Sequence, residues 1–121
     1  YVQYAYARIC TLLKALAAEA STCPPRRRPI CTAYRRRGEG AHQAAGPVPV
    51  VVRLAARDYD PSFINRYLSE LAAAFHKFYN ACRIKGEEKD VLLARLKLAD
   101  TARAVLKNGM TLIGCSAPEK M

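Results

Sequence analysis

Two groups of side chains in this sequence have residue types and spacings suited to binding a ligand. In the first, Tyr1, Tyr4 and Arg8 follow one another at intervals of three and four residues, so a helix places them on one face. Phenol rings beside a guanidinium suit unpaired RNA bases, because the bases stack on rings while arginine binds a phosphate or a base edge. The alternative is that these tyrosines are half-buried packing residues whose hydroxyls reach water.

The second group is the run Lys77-Phe78-Tyr79-Asn80. The apolar spacing around it directs Phe78 into a core, which leaves Lys77, Tyr79 and Asn80 nearer the surface. This run therefore predicts a second aromatic and polar surface, with the same packing alternative for Tyr79.

Other chemistries find little support. The five cysteines are odd in number and form no CxxC pair, which favours reduced thiols over a disulfide framework or a zinc site. His76 lies beside Lys77 and fits a surface or packing role better than a catalytic one. The sequence has no glycine-rich phosphate loop, no nucleophile elbow and no paired carboxylates at a spacing that would indicate acid–base catalysis. We therefore expect no catalytic residue, metal ion or cofactor in this chain.

Helices are predicted to position these groups. Residues 2–19 and 61–83 carry apolar side chains at intervals of three and four, and residues 50–58 form either a short helix or a strand, with the helix favoured. Asp60 and Pro61 are a helix cap and a first helical residue. The third long helix should begin near the acidic residues 87, 88 and 90 and end at residues 107–109, before a short turn at 110–113. The predicted apolar stripes are Val2, Ala5, Ile9, Leu12, Leu13 and Leu16; Ile64, Leu68, Leu71, Phe75, Phe78 and Cys82; and Leu92, Leu96, Ala99, Ala102 and Leu106.

Length and composition fit a single all-α domain over residues 1–121. The chain has 121 residues, 51% of them hydrophobic, which is enough for one core. No apolar run approaches the length of about 18 residues that a membrane helix needs. The chain opens at Tyr1 with no signal-peptide pattern, so we expect a fragment of a longer protein. The reduced cysteines favour a cytoplasmic location.

The positive charge is concentrated in one stretch. The formal net charge is +10, and residues 21–57 contribute eight arginines against a single acid, Glu39. Residues 21–49 also hold five of the seven prolines and show no helical or strand period, so they are expected to be irregular. Charge of this size ordinarily indicates an anionic partner such as RNA.

Three strings carry a family resemblance: YVQYAYARIC at the start, KFYNAC in the middle, and VLKNGMTLIGCSAPEKM at the end. Together they resemble the DALR-type anticodon-binding domain of arginyl-tRNA synthetases, over residues 1–19 and about 50–121. The resemblance implies an all-α helical bundle, of the anticodon-binding type found in class I aminoacyl-tRNA synthetases. It also implies binding of the arginine tRNA anticodon stem-loop.

By the same resemblance, the anticodon-loop site comprises Tyr1, Tyr4, Arg8, Tyr79 and Met121, and we add their neighbours Gln3, Lys77 and Asn80 to it. The catalytic domain of the parent synthetase would be a further partner, and would bind ATP and Mg²⁺ outside this chain. The alternative is a stand-alone helical interaction domain with a basic insert that binds RNA or protein.

Residues 21–49 depart from the family pattern. A one-base shift in a back-translation of residues 39–49 gives Arg-Glu-Leu-Ile-Lys-Gln-Leu-Ala-Arg-Phe-Pro, an amphipathic helix typical of the family. The hypothesis is that this stretch is translated out of frame, and the alternative is a genuine basic insert. A frame shift predicts a missing helix, a partly uncovered core and reduced stability.

Overall fold

The computed structural model describes residues 1–20, 48–81 and 89–120. Four helices form in this part of the chain: α1 (Val2–Ala20), α2 (Val48–Asp58), α3 (Ser62–Ala81) and α4 (Lys89–Leu112). No strand occurs among the described residues, so the all-α prediction is confirmed. None of these helices is both long enough and apolar enough to cross a membrane.

The core lies where α1, α3 and α4 meet. α1 packs against both α3 and α4, α3 packs against α4, and α2 covers a side of α3. Helix α1 buries a broader face than its predicted stripe, because Tyr6 and Cys10 are buried together with Ala5 and Ile9. A helix that contacts two neighbours must be apolar over more than one stripe. The largest fully buried side chains are Tyr6, Ile9, Leu68, Leu71, Phe75, Leu106 and Met110.

Helix α3 begins with the predicted cap, one residue later than predicted, at Ser62. An oxygen of the Asp60 side chain accepts a hydrogen bond from the Ser62 backbone N–H at 2.9 Å, and Pro61 lies directly before the first residue of the helix. These hydrogen bonds, from the backbone and the hydroxyl of Ser62, hold the pKa of the Asp60 carboxyl below its usual value. The cap fixes the residue at which α3 starts, whereas the buried face with Leu68 and Phe75 fixes the direction in which the side chains of α3 point.

Helix α2 resolves the ambiguity of its sequence in favour of a helix, and it starts earlier than expected. Val48 and Pro49 belong to its first turn, although the irregular stretch was expected to reach residue 49. Proline fits here because the first N–H groups of a helix have no intrahelical partner. The helix ends with Tyr59 in the left-handed region (φ 51°), and the Asp60 N–H donates to the Ala55 carbonyl at 3.0 Å.

The predicted end of the third long helix was wrong. Helix α4 continues through Gly109 to Leu112, so residues 110–112 are helical rather than a turn. Gly109 is there because a Cβ would clash with Leu68 of α3, which means the glycine permits a close approach of two helices. The left-handed residue is Gly114 (φ 73°) instead. The Cys115 N–H donates to Met110 and the Gly114 N–H to Thr111, the bond pattern of a Schellman cap.

Several predictions lie outside the described residues. They are the irregular stretch and its proposed frame shift over residues 21–47, the last turn of the second long helix at residues 82 and 83, the acidic residues 87 and 88, and Met121.

Candidate nucleic-acid interface

The first turns of α1 present two exposed phenol rings. The side chains of Tyr1 and Tyr4 are 69% and 49% exposed, and Arg8 one turn further along is exposed as well. Ala5 and Ile9, which lie about 100° around the helix from Tyr4 and Arg8 respectively, are fully buried. The burial of that stripe fixes the rotation of α1, so the tyrosines and the arginine face outward.

An imidazole from α3 joins these rings. The His76 ring centroid lies 5.6 Å from that of Tyr1 and 6.2 Å from that of Tyr4, where the planes differ by 30°. These separations are typical of aromatic pairs in proteins. His76 therefore connects the two α1 tyrosines to α3.

Arg8 connects the same α1 face to Tyr79. Its guanidinium carbon lies 4.9 Å from the centroid of the Tyr79 ring, a cation–π distance. One guanidinium nitrogen donates to the Tyr4 hydroxyl at 3.3 Å. Tyr79 is half-buried and its ring also stacks near Phe75, at 6.4 Å between centroids. We call Tyr1, Tyr4, Arg8, His76 and Tyr79 the aromatic cluster.

The charge state of His76 follows from its position. Partial burial and the neighbouring Arg8 guanidinium lower the pKa of the His76 imidazole. The ring is consequently neutral at neutral pH, which suits packing against the tyrosine rings. The sequence analysis did not assign His76 to this site. The sequence does contain an indication that His76 belongs to this site: His76 precedes Tyr79 by three residues, so the two side chains are neighbours on one helix face.

A groove of about 630 Å³ opens beside the aromatic cluster. Tyr4, Arg8 and Tyr79 line one part of it, and Lys120 from the segment after α4 lines another. Its volume falls in the range of small-ligand sites, and two cationic side chains reach it. Nothing in the sequence pattern placed Lys120 near residues 4 and 79, since they are distant along the chain.

The remaining predicted site residues, Gln3, Lys77 and Asn80, take different positions relative to the cluster. The Gln3 side-chain amide donates to the Ser116 carbonyl at 2.8 Å, so Gln3 contacts the segment after α4. Lys77 is exposed and, at about 100° per residue, lies about 160° around α3 from Tyr79. Asn80 is exposed on the side of α3 next to His76. Met121 lies outside the described residues.

The rest of the described surface offers no competing metal chemistry. Across residues 1–20, 48–81 and 89–120, no group of three or more histidine, cysteine or acidic side chains is arranged to hold a metal ion. What the cluster can do is bind flat, unpaired bases on exposed rings and phosphates on cations.

Comparison with known proteins places this geometry in a family. The profile of the DALR anticodon binding domain matches residues 2–121, an interval that includes the stretch expected to depart from the family. Arginine–tRNA ligases of Acetivibrio thermocellus and Ruminiclostridium cellulolyticum are each 39% identical over the whole chain, and that of Bordetella pertussis is 40% identical.

The chain spans about a fifth of the length of these relatives, 22%, 22% and 21% respectively. These matches do not favour the alternative of an unrelated stand-alone interaction domain. With its helical architecture and its profile match, the chain belongs to the DALR anticodon binding domain family, as the sequence resemblance predicted.

Proposed function

We propose that this chain binds the anticodon loop of an arginine tRNA as the RNA-binding module of an arginine–tRNA ligase. The observation that supports this most directly is the aromatic cluster, in which exposed Tyr1 and Tyr4 rings stand beside the Arg8 guanidinium at an open groove. The family to which the chain belongs and the ligase names of its relatives point to the same RNA.

The chemistry matches what an unpaired loop offers. Splayed bases present flat faces, and the exposed rings of Tyr1 and Tyr4 are available for stacking. Arg8 covers the Tyr79 ring, so a base entering the groove there meets the guanidinium plane first. Arg8 and Lys120 supply positive charge for the phosphates of the loop.

Arginine activation would belong to the rest of the synthetase. In this proposal a catalytic domain binds ATP and Mg²⁺ and attaches arginine to the tRNA, while the chain described here holds the anticodon end. Such a protein would work in the cytoplasm, where tRNA charging takes place.

The test measures binding of the full chain to an arginine-tRNA anticodon stem-loop by fluorescence anisotropy at several salt concentrations. Replacing Tyr4 with alanine should weaken binding by about 1–3 kcal/mol, the worth of one stacked base. Tyr4→Phe keeps the ring and removes only the hydroxyl that accepts from Arg8, so it should retain most of the affinity.

Tyr59→Ala is the matched control. Tyr59 is 94% exposed but lies at the turn between α2 and α3, away from the cluster, so its removal should leave affinity unchanged. Equal losses for Tyr4→Ala and Tyr59→Ala would refute a specific stacking site. A stem-loop whose loop bases are fully paired should bind more weakly than the open loop.

A further inference from the structure

Glu119 is an acidic residue in a place where RNA binding would favour only cations. It lies one residue before Lys120, which lines the aromatic groove, so its carboxylate is close to the path proposed for the phosphates. Because this carboxylate and RNA are both negatively charged, net charge alone predicts that the carboxylate repels RNA and that its removal tightens binding. The contacts of Glu119 give the opposite expectation.

The segment after α4 runs along α1. The Schellman cap at Gly114 reverses the chain, and residues 115–120 then follow α1 in the same direction. Gln3 donates to Ser116 near the start of this segment, and Lys14 donates to Glu119 near its end, at 2.6 Å. Between these two contacts, Ala117 packs against the hydrophobic core.

Three cations surround the Glu119 carboxylate. Lys14 of α1 forms the ion pair, and Lys107 and Arg103 of α4 contribute at longer range. The hydrogen bond and charge of Lys14, with smaller contributions from the other two, hold the pKa of Glu119 below its usual value. Glu119 also lines a second groove, of about 550 Å³, between α1 and α4. Consecutive residues of the segment thus enter different grooves, Glu119 this one and Lys120 the aromatic one.

We propose that Glu119 is a positioning residue, which binds Lys14 so that the next residue, Lys120, is held at the aromatic groove. This proposal rests on the proposed function, since it concerns the same RNA site. Without the ion pair, the segment would lose the polar contact next to Lys120, and Lys120 would be held less firmly at the groove. An exposed ion pair adds little to stability, so its effect should be seen in binding rather than in folding.

The experiment measures the affinity of the full chain for the arginine-tRNA anticodon stem-loop. Glu119→Gln removes a negative charge, yet it should weaken binding by about two- to fivefold, because an exposed ion pair can supply up to about 1 kcal/mol for positioning. Lys120→Ala removes the contact itself and should weaken binding about tenfold. The double variant should lose about tenfold, as Lys120→Ala does, rather than the product of the two losses, because both changes act on one and the same contact.

Two further measurements separate positioning from a merely structural role. The slope of log affinity against log salt should fall in size by about 0.7 in Lys120→Ala, as expected for one lost phosphate contact on a single strand, and should fall by a part of that amount in Glu119→Gln. Glu119→Asp keeps the carboxylate and should recover most of the affinity. The urea unfolding midpoint of each variant should match that of the parent chain, which shows that the fold is intact.

Asp58→Asn is the matched control. Asp58 forms an exposed ion pair of the same length, 2.6 Å, with Arg57, far from the groove in sequence and at the end of α2. Asp58→Asn removes one negative charge, as Glu119→Gln does, so the affinity of this variant for the stem-loop should be unchanged or slightly higher. If Glu119→Gln behaves like Asp58→Asn, or if the losses of Glu119→Gln and Lys120→Ala add, the positioning role is overturned. Failure of the proposed function has a different signature, in which Tyr4→Ala binds like the parent chain.

Discussion

Replacing Gly109 with alanine tests the closest approach in the bundle. A Cβ at this position would collide with Leu68 Cδ2 and lie 3.0 Å from Cδ1 and 3.1 Å from Cγ. Favourable carbon contacts lie at about 3.5–4.0 Å, and the Cγ contact means that rotating the Leu68 methyl groups does not remove the overlap. Leu68 is 1% exposed, so it cannot turn toward solvent to make room for the new methyl group.

The magnitude is a difference of two opposing effects. Overpacking a core costs about 1–3 kcal/mol, and alanine is better than glycine inside a helix by about 1 kcal/mol. Gly109→Ala should therefore lower the free energy of unfolding by about 1 kcal/mol. The measurement is urea unfolding of the full chain, followed by circular dichroism of the helices.

The sign should reverse when the obstructing side chain is shortened. Leu68→Ala alone costs about 2–5 kcal/mol through the cavity it leaves. In that background Gly109→Ala should stabilise the chain by about 1 kcal/mol, because only the helix propensity of alanine remains. Asn108→Ala, at an exposed position next to Gly109, is the control and should be mildly stabilising. A stabilising effect of Gly109→Ala in the parent chain would refute the close contact between α3 and α4.

Two further predictions concern single polar groups. The Tyr67 hydroxyl is buried with no hydrogen-bond partner among the described residues, and burial raises the pKa of this phenol to about 12. Tyr67→Phe should therefore raise the free energy of unfolding by about 1 kcal/mol in the same urea assay, and a loss of stability would show that the hydroxyl has a partner. The second concerns His76, whose pKa is lowered from its ordinary value of 6.5 by burial and by Arg8. Just below pH 6.5 the unfolded chain then holds a proton on this imidazole that the folded chain does not, so stability should fall as the pH is lowered through that window. His76→Gln should flatten this dependence, and an equally steep profile in the variant would assign it to another group.

Sequence reasoning predicted the helices well where one strong signal decided the structure. The apolar stripes of α1 and α3 and the cap at Asp60 depend on local residue spacing. The structure confirms the cap, and it confirms the stripes at their described residues, all of which are buried or packed against the core. The end of α4 was wrong because glycine has two uses. At Gly109 it permits contact between helices rather than a left-handed turn, and only the position of Leu68 on another helix distinguishes the two.

In the candidate site, too, local spacing predicted some residues, and others depend on contacts between distant parts of the chain. Tyr1, Tyr4 and Arg8 share a helix face that the sequence alone defines, and the structure shows all three exposed there. The contacts of His76 with Tyr1 and Tyr4 depend on how α3 packs against α1. Lys120 reaches the groove only because Gly114 reverses the chain, and no local pattern reports that long-range contact.

The aromatic groove is built from residues as far apart as Tyr4 and Lys120, so it exists only when the whole bundle is folded. An RNA that recognises this groove does not bind unfolded or incompletely synthesised chains. Binding therefore shifts the folding equilibrium of the chain toward the folded state. At a free RNA concentration a hundred times Kd this shift is worth about 2.7 kcal/mol. In a cell rich in tRNA, the cognate RNA would thus act as a folding ligand that offsets the destabilising effect of a mutation in the core.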